Sequence, residues 1–115
     1  MAGPDKPLVW LHGEVHTPPF SAEARREAGF LLRRLQAGER LGMPQSRPMP
    51  ALGARCHELR VNDQHQAWRI MYRTDRDVIV ILEVVDKRTA KTPRPVVETC
   101  RERLRRYDAE WRSDR

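Results

Sequence analysis

The sequence predicts an α+β fold: a small antiparallel, mixed-edge sheet of about four strands, with an N-terminal helix and a C-terminal helix packed against it. Three observations lead there. Two segments, one toward each end, carry apolar residues three and four apart, the spacing of one helical face. Between them lie strand-like runs joined by short polar links. The length, 115 residues, is one domain's worth, enough to bury roughly two-thirds of the surface an unfolded chain exposes. Residues 1–115 are therefore expected to form a single domain that needs no staple of metal or disulfide.

Residues 8–14 read as a first strand, stopped by Pro18 and Pro19, which remove two backbone donors. Ser21 stands where a helix N-cap belongs. Ala24, Ala28, Leu31, Leu32 and Leu35 then form one apolar stripe, with Arg25, Arg26, Arg33 and Arg34 opposite and Gly38 as a left-handed stop, giving a helix over residues 22–37. Residues 39–54 hold Gly42, Pro44, Pro48, Pro50 and Gly53, too many breakers for regular structure beyond one turn. In residues 55–61, His57, Leu59 and Val61 alternate with Cys56, Glu58 and Arg60, the mark of a half-buried strand. Residues 62–66 suit a hairpin link, after which Trp68, Ile70 and Tyr72 share one face of a strand and Arg69, Met71 and Arg73 the other. A tight connection at residues 74–77 leads to the β-branched run 78–85, read as a central strand buried on both sides. The three strands make an antiparallel meander. Thr92 before Pro93 is a helix start signature, a capping hydroxyl and then a proline whose missing donor costs nothing there. Val96, Val97, Cys100, Leu104, Tyr107 and Trp111 continue it at helical spacing, flanked by Arg101, Arg103, Arg105 and Arg106.

The chain carries a formal charge of +6 and a pI near 10.1, which favours polyanionic partners such as nucleic acid or an acidic protein. Nineteen of its 22 basic residues are arginine, a bias that genome composition alone can produce. The local excess is harder to dismiss: from Val85 to Arg106 there are eight Lys or Arg against three Asp or Glu. The longest apolar run, residues 78–82, falls far short of the roughly eighteen residues that span a bilayer. No basic-then-apolar leader opens the sequence, so a cytoplasmic location is expected and no membrane partner. Cys56 and Cys100 have no CxxC or Cys-His spacing and read as reduced, partly buried thiols. His12, His16, His57 and His65 lack partners at metal-ligand spacing, and no phosphate-binding glycine motif occurs. No cofactor is expected, so any reaction must use side chains alone.

Cleavage of RNA can work that way, because the 2′-hydroxyl is a nucleophile already placed beside the phosphorus. Planar, bidentate guanidinium groups suit the phosphate and its developing charge. Residues two apart on a strand point the same way, about 7 Å apart, so Arg69 and Arg73 project from one surface and are candidates, with Arg60 beside them if register allows. The plain alternative is a solvated face, or arginines neutralised by Glu58 and Glu83 as structural pairs. Lys87, Arg88 and Lys91 crowd a loop at the start of the last helix, where first-turn amides and the helix dipole favour an anion. Candidates for proton transfer are His57, Glu58, Glu83, Lys87 and Tyr107, each with an ordinary structural reading beside it.

Three segments in order resemble the RelE/ParE toxin superfamily, nearest its HigB-like, phage-derived branch. They are Glu58-Leu59-Arg60, then Arg69-Ile70-Met71-Tyr72-Arg73, then the apolar strand running into Lys87-Arg88-Thr89-Ala90-Lys91-Thr92-Pro93. The chain differs in having Val85 where relatives often carry an aromatic residue, Arg88 as the second of the basic pair, and Glu58 where some have lysine. The resemblance implies a RelE-like fold and the toxin of a type II toxin-antitoxin pair, a ribosome-dependent endoribonuclease acting on messenger RNA. Its partners would be the ribosome, mRNA and an antitoxin, often of helix-turn-helix type. By position it implies Arg69 and Arg88 at the scissile phosphate, with Glu58 and His57 as further catalytic candidates. Arg60, Arg73, Lys87, Lys91 and Arg94 would grip RNA. A gyrase-poisoning relative and a non-catalytic nucleic-acid or protein-binding relative are the alternatives.

Overall fold

The structure, a computed structural model, describes residues 5–11, 20–64, 66–86 and 91–112. Leu8–Trp10 forms a short first strand, β1; the expected continuation to residue 14 and the proline pair lie outside the described residues. Ala22–Gln36 is helix α1, and its ends are those the sequence marks. The Ser21 hydroxyl accepts the Ala24 amide at 3.0 Å, satisfying one of the first-turn donors that have no partner within the helix. At the other end Gly38 has φ +93°, a conformation that glycine adopts without a Cβ penalty, and its amide donates to the Leu35 carbonyl at 3.0 Å. All five stripe residues, Ala24, Ala28, Leu31, Leu32 and Leu35, are buried.

Ser46–Pro48 (β2), Cys56–Asn62 (β3), Ala67–Thr74 (β4) and Ile79–Asp86 (β5) complete one five-stranded sheet in the order β1-β5-β4-β3-β2. The meander β3-β4-β5 is antiparallel, as the alternation and short links predict. β1 adds to β5 in parallel, Leu8 opposite Ile79, which makes the edge mixed. The connector expectation needs correcting. Within the breaker-rich stretch Ser46–Pro48 pairs antiparallel to β3, Ser46 opposite Leu59 and Pro48 opposite His57. A proline is tolerated there because the strand lies at the sheet edge, where a missing donor breaks no ladder. Between Met71 and Tyr72 the β4–β5 register shifts: Met71 faces Glu83 but Tyr72 faces Ile81, so Leu82 is the extra residue of a bulge.

Both sheet faces are covered. On one, α1 packs its stripe on Leu59, Ile70, Tyr72 and Ile81. On the other, Cys100, Leu104 and Tyr107 of the second helix, Arg94–Tyr107 (α2), pack on Met71, Val80 and Leu82. The face carrying Arg69, Met71 and Arg73 is therefore an interior, not a solvated surface. Ile79 to Leu82 are fully buried, as expected of a strand covered on both faces, whereas Val78 and the second half of the strand, residues 83–86, are only half-buried. Residues 108–112, Asp108–Arg112, continue α2 as a π-helical turn. The start of α2 also departs from the expected cap: Pro93 occupies the N-cap position with no side-chain cap bond, and the Thr92 hydroxyl is turned inward to other partners. Cys56 and Cys100 are free and buried, and burial pushes the Cys100 thiol up to about 12. A thiol held protonated is a poor nucleophile.

Candidate nucleic-acid interface

The register of three strands builds this site. Arg47 of β2 lies opposite Glu58 of β3, and Arg60 of β3 lies opposite Arg69 of β4. Side chains alternate across the sheet, so Glu58 and Arg69 both point to the α2 side. Glu58 is 2% exposed and Arg69 1%. Arg69 Nε lies 3.2 Å from Glu58 Oε1, an ion-pair distance without hydrogen-bond alignment. Its Nη1 donates to Thr92 Oγ1 at 3.2 Å. The Thr92 hydroxyl donates in turn to Glu58 Oε2 at 3.3 Å, and Arg47 Nη2 donates to the same oxygen at 3.0 Å. One carboxylate thus holds two guanidinium groups and the hydroxyl just ahead of α2. A charge removed from water costs several kcal/mol unless it is paired and bonded in this way.

Around this buried centre stand other cations. Arg60 is half-buried, Lys91 and Arg94 are exposed, and Lys91 and Arg94 flank the Thr92 that touches Arg69. Arg94 meets Glu98 at 3.1 Å, but both side chains are open to solvent, where such a pair contributes little. Lys87 and Arg88 lie outside the described residues. Arg47 Nε is buried without a hydrogen-bond partner. A buried donor left over in this way costs about 1–3 kcal/mol.

Other expected residues are placed elsewhere. Arg73 shares the strand face of Arg69, but its donors go to Asp75 (2.7 and 2.9 Å) and to Asp108 (2.8 and 3.0 Å), joining β4 to the end of α2. Those bonds raise its pKa above the ordinary arginine value, and the structure does not bring it to the Arg69 group. Its guanidinium also sits 5.9 Å from the Tyr107 ring centre, which places Tyr107 at the far end of α2 from Thr92. Glu83 pairs with Arg103 of α2 at 3.1 Å. His57 is on the opposite, α1 side of the sheet, stacked on Tyr72 with ring centres 5.4 Å apart. Adjacent residues of a strand cannot both enter one site, so Glu58 and His57 are separated by the sheet itself. Among the described residues no three His, Cys, Asp or Glu side chains come together as metal ligands.

Two members of the cluster are absent from the sequence-based set. Arg47 sits in a segment whose prolines hide its strand, and no periodicity marks it. Thr92 carries a visible signal, but the neighbouring proline makes a cap the simpler reading.

Residues 19–105 match the model of the family described as phage derived protein Gp49-like (DUF891). The chain belongs to this family. Gp49-like proteins are a RelE/HigB-like toxin family, and the match takes in every strand from β2 to β5, α1, and α2 up to Arg105. No curated protein matches the chain. The Gp49-like fold here is α+β, with a mixed sheet between its two helices. Among the described residues no helix is long and apolar enough to cross a membrane.

Proposed function

We propose that this Gp49-like chain is the toxin of a toxin-antitoxin pair and cleaves messenger RNA on the ribosome as an endoribonuclease that uses side chains alone. The observation that carries the reading is the fully buried Arg69, fixed by Glu58 and Thr92 beneath the start of α2, with Arg47 on the same carboxylate, Arg60 opposite Arg69 in the register, and Lys91 and Arg94 either side of Thr92 in the chain. A guanidinium in a low-dielectric setting acts on nearby phosphate charge far more strongly than one in water. In the reaction the 2′-oxygen loses its proton and attacks phosphorus while the bond to the 5′-oxygen breaks and that oxygen takes up a proton. Arg69, with Arg88 from the segment ahead of α2, would stabilise the extra negative charge. Glu58 acts on Arg69 as a positioning residue, and the exposed cations hold the strand.

Induction of the chain in growing cells, with transcript ends mapped by primer extension, tests this. Cleaved transcripts are expected with the wild-type chain, and on the order of a hundredfold less cleavage with Arg69→Gln. Growth arrest with intact transcripts would overturn the nuclease reading and favour a different toxic target.

A further inference from the structure

A second site is built at the end of the sheet away from Thr92, reaching from His57 and Tyr72 on the α1 face round to Arg73 and Asp108. A cleft of about 930 Å³ opens where the end of α1, the start of β3 and the β4–β5 turn meet. Its lining combines apolar Leu35, Leu41 and Tyr72 with His57 and the cations Arg40, Arg55 and Arg76. The acids at the cleft are already matched within the fold: Glu39 with Arg34 at 3.0 Å, Asp108 with Arg73, and Asp75 with Arg73 and, at 3.6 Å, with the largely exposed Arg55. Arg40 and Arg76 are exposed and have no acidic partner among the described residues.

The histidine is set by its backbone neighbour. His57 Nδ1 lies 3.2 Å from the Arg55 carbonyl oxygen, which can only accept. Nδ1 must therefore carry the proton, and in the neutral ring Nε2 is left as an acceptor. The Arg55 carbonyl reaches this position because Arg55 has φ +62°, a left-handed conformation rare for a side chain of its size. That conformation is held from both sides: the Arg55 carbonyl also accepts the Thr74 amide at 3.1 Å, and Arg55 Nε donates to the Thr74 carbonyl at 3.2 Å. Strain that the surrounding bonds enforce marks ligand sites more often than random surface.

We propose that this cleft binds a nucleotide, with phosphate on Arg40, Arg55 and Arg76 and the nucleoside against the outer face of the half-buried His57 ring, which Tyr72 backs from within the core. Three demands converge on that chemistry. The arginines call for an anion, His57 Nε2 calls for an O–H or N–H donor, and the half-buried His57 ring and Leu41 call for a flat, weakly polar group. Inorganic phosphate meets only the first. A nucleotide meets all three, whether free or as one unit of an RNA strand. The site is separate from the Arg69 cluster and does not depend on cleavage.

Isothermal titration of the full chain with adenosine 5′-monophosphate, and with a 2′-O-methyl hexanucleotide that cannot be cut, distinguishes the two sources. The Arg40→Ser/Arg76→Ser double variant is expected to weaken binding about tenfold and to lower the salt slope by about 0.7 for each phosphate it no longer neutralises. His57→Phe, which keeps the ring stack and removes the acceptor, is expected to weaken binding as well. Weaker binding of the monophosphate assigns the cleft to free nucleotides, and weaker binding of the hexanucleotide alone assigns it to a strand. Arg26→Ser, on the outer face of α1 away from the cleft, should leave monophosphate affinity as it is. Unchanged binding in both cleft variants would overturn the proposal, as would no binding by the wild-type chain or equal competition by an oligoglutamate peptide.

Discussion

At Arg69 charge and burial pull in opposite directions, and the outcome depends on what remains when one partner goes. Glu58 keeps Arg47 and Thr92 if Arg69 is removed, but it stays 2% exposed and loses its closest buried cation. Arg69→Ala is therefore expected to cost about 3–5 kcal/mol in urea unfolding. The double variant Glu58→Leu/Arg69→Met is expected to recover most of that stability, because well-packed apolar residues commonly replace buried ion pairs at little cost. It should still fail to cleave transcripts. A stable, inactive double variant would separate the pair's chemical part from its structural part, and a stable, active one would remove Arg69 from the chemistry. The sequence permits a pairing of these arginines with Glu58 and Glu83, and the structure realises half of it, Glu58 with Arg69. Glu83 goes to Arg103 instead, because the bulge at Leu82 turns it toward α2.

Among the elements, α1 shows where local chemistry determines structure. Ser21→Ala is expected to cost about 1 kcal/mol in thermal or urea unfolding, the usual loss when a capping oxygen goes. Asp63 joins the same corner, bonding the Ser21 amide and the Trp68 indole N–H, each at 3.2 Å. The Ser21 side-chain bond, ahead of the Trp68, Gln64 and Ser21 backbone bonds and against desolvation, lowers the Asp63 pKa from 3.8 to about 2. A depressed carboxyl pKa means that the folded state prefers the ionised form. Its contribution is present above the unfolded value and is lost as pH falls from about 3.8 toward about 2. Asp63→Asn should thus lower the melting temperature at pH 7, and the gap to the wild-type chain should close near pH 2. A gap that persisted unchanged in acid would mean that the carboxylate charge is not what stabilises this corner. α1 was fully legible because its cap, stripe and stop all lie within one short segment. β2 was not, since an edge strand of three residues containing proline exists only through its partner β3, and no pattern within the segment encodes that pairing. Thr92 failed for a related reason: capping is a local property, whereas its actual partners are 34 and 23 residues away.

Across the whole molecule, a net charge of +6 has two possible origins, and the fold separates them. Composition foretells attraction to polyanions but not which cations act, because pairing within the fold is invisible along the chain. Arg73 and Arg103 are held by carboxylates within the fold, whereas Lys91 and Arg94 are exposed beside the Arg69 cluster, Arg94 with only a solvent-open pair to Glu98, and Arg25, Arg26 and Arg33 face outward from α1. If the arginine bias were only compositional, each exposed cation would contribute alike to RNA affinity. If the start of α2 tracks the RNA backbone, its cations neutralise specific phosphates and release their counterions, and those scattered over α1 do not. Each phosphate so neutralised changes the slope of log affinity against log salt by about 0.7 on a single strand. Lys91→Ser/Arg94→Ser is accordingly expected to flatten the slope for a 2′-O-methyl strand by about 1.4, and Arg25→Ser/Arg26→Ser/Arg33→Ser by much less, although it removes one more charge. Fluorescence anisotropy over a range of salt concentrations measures both. Equal flattening per charge in the two variants would show a diffuse basic surface, and would place the grip on RNA in the overall charge, away from the helix start where Thr92 meets Arg69.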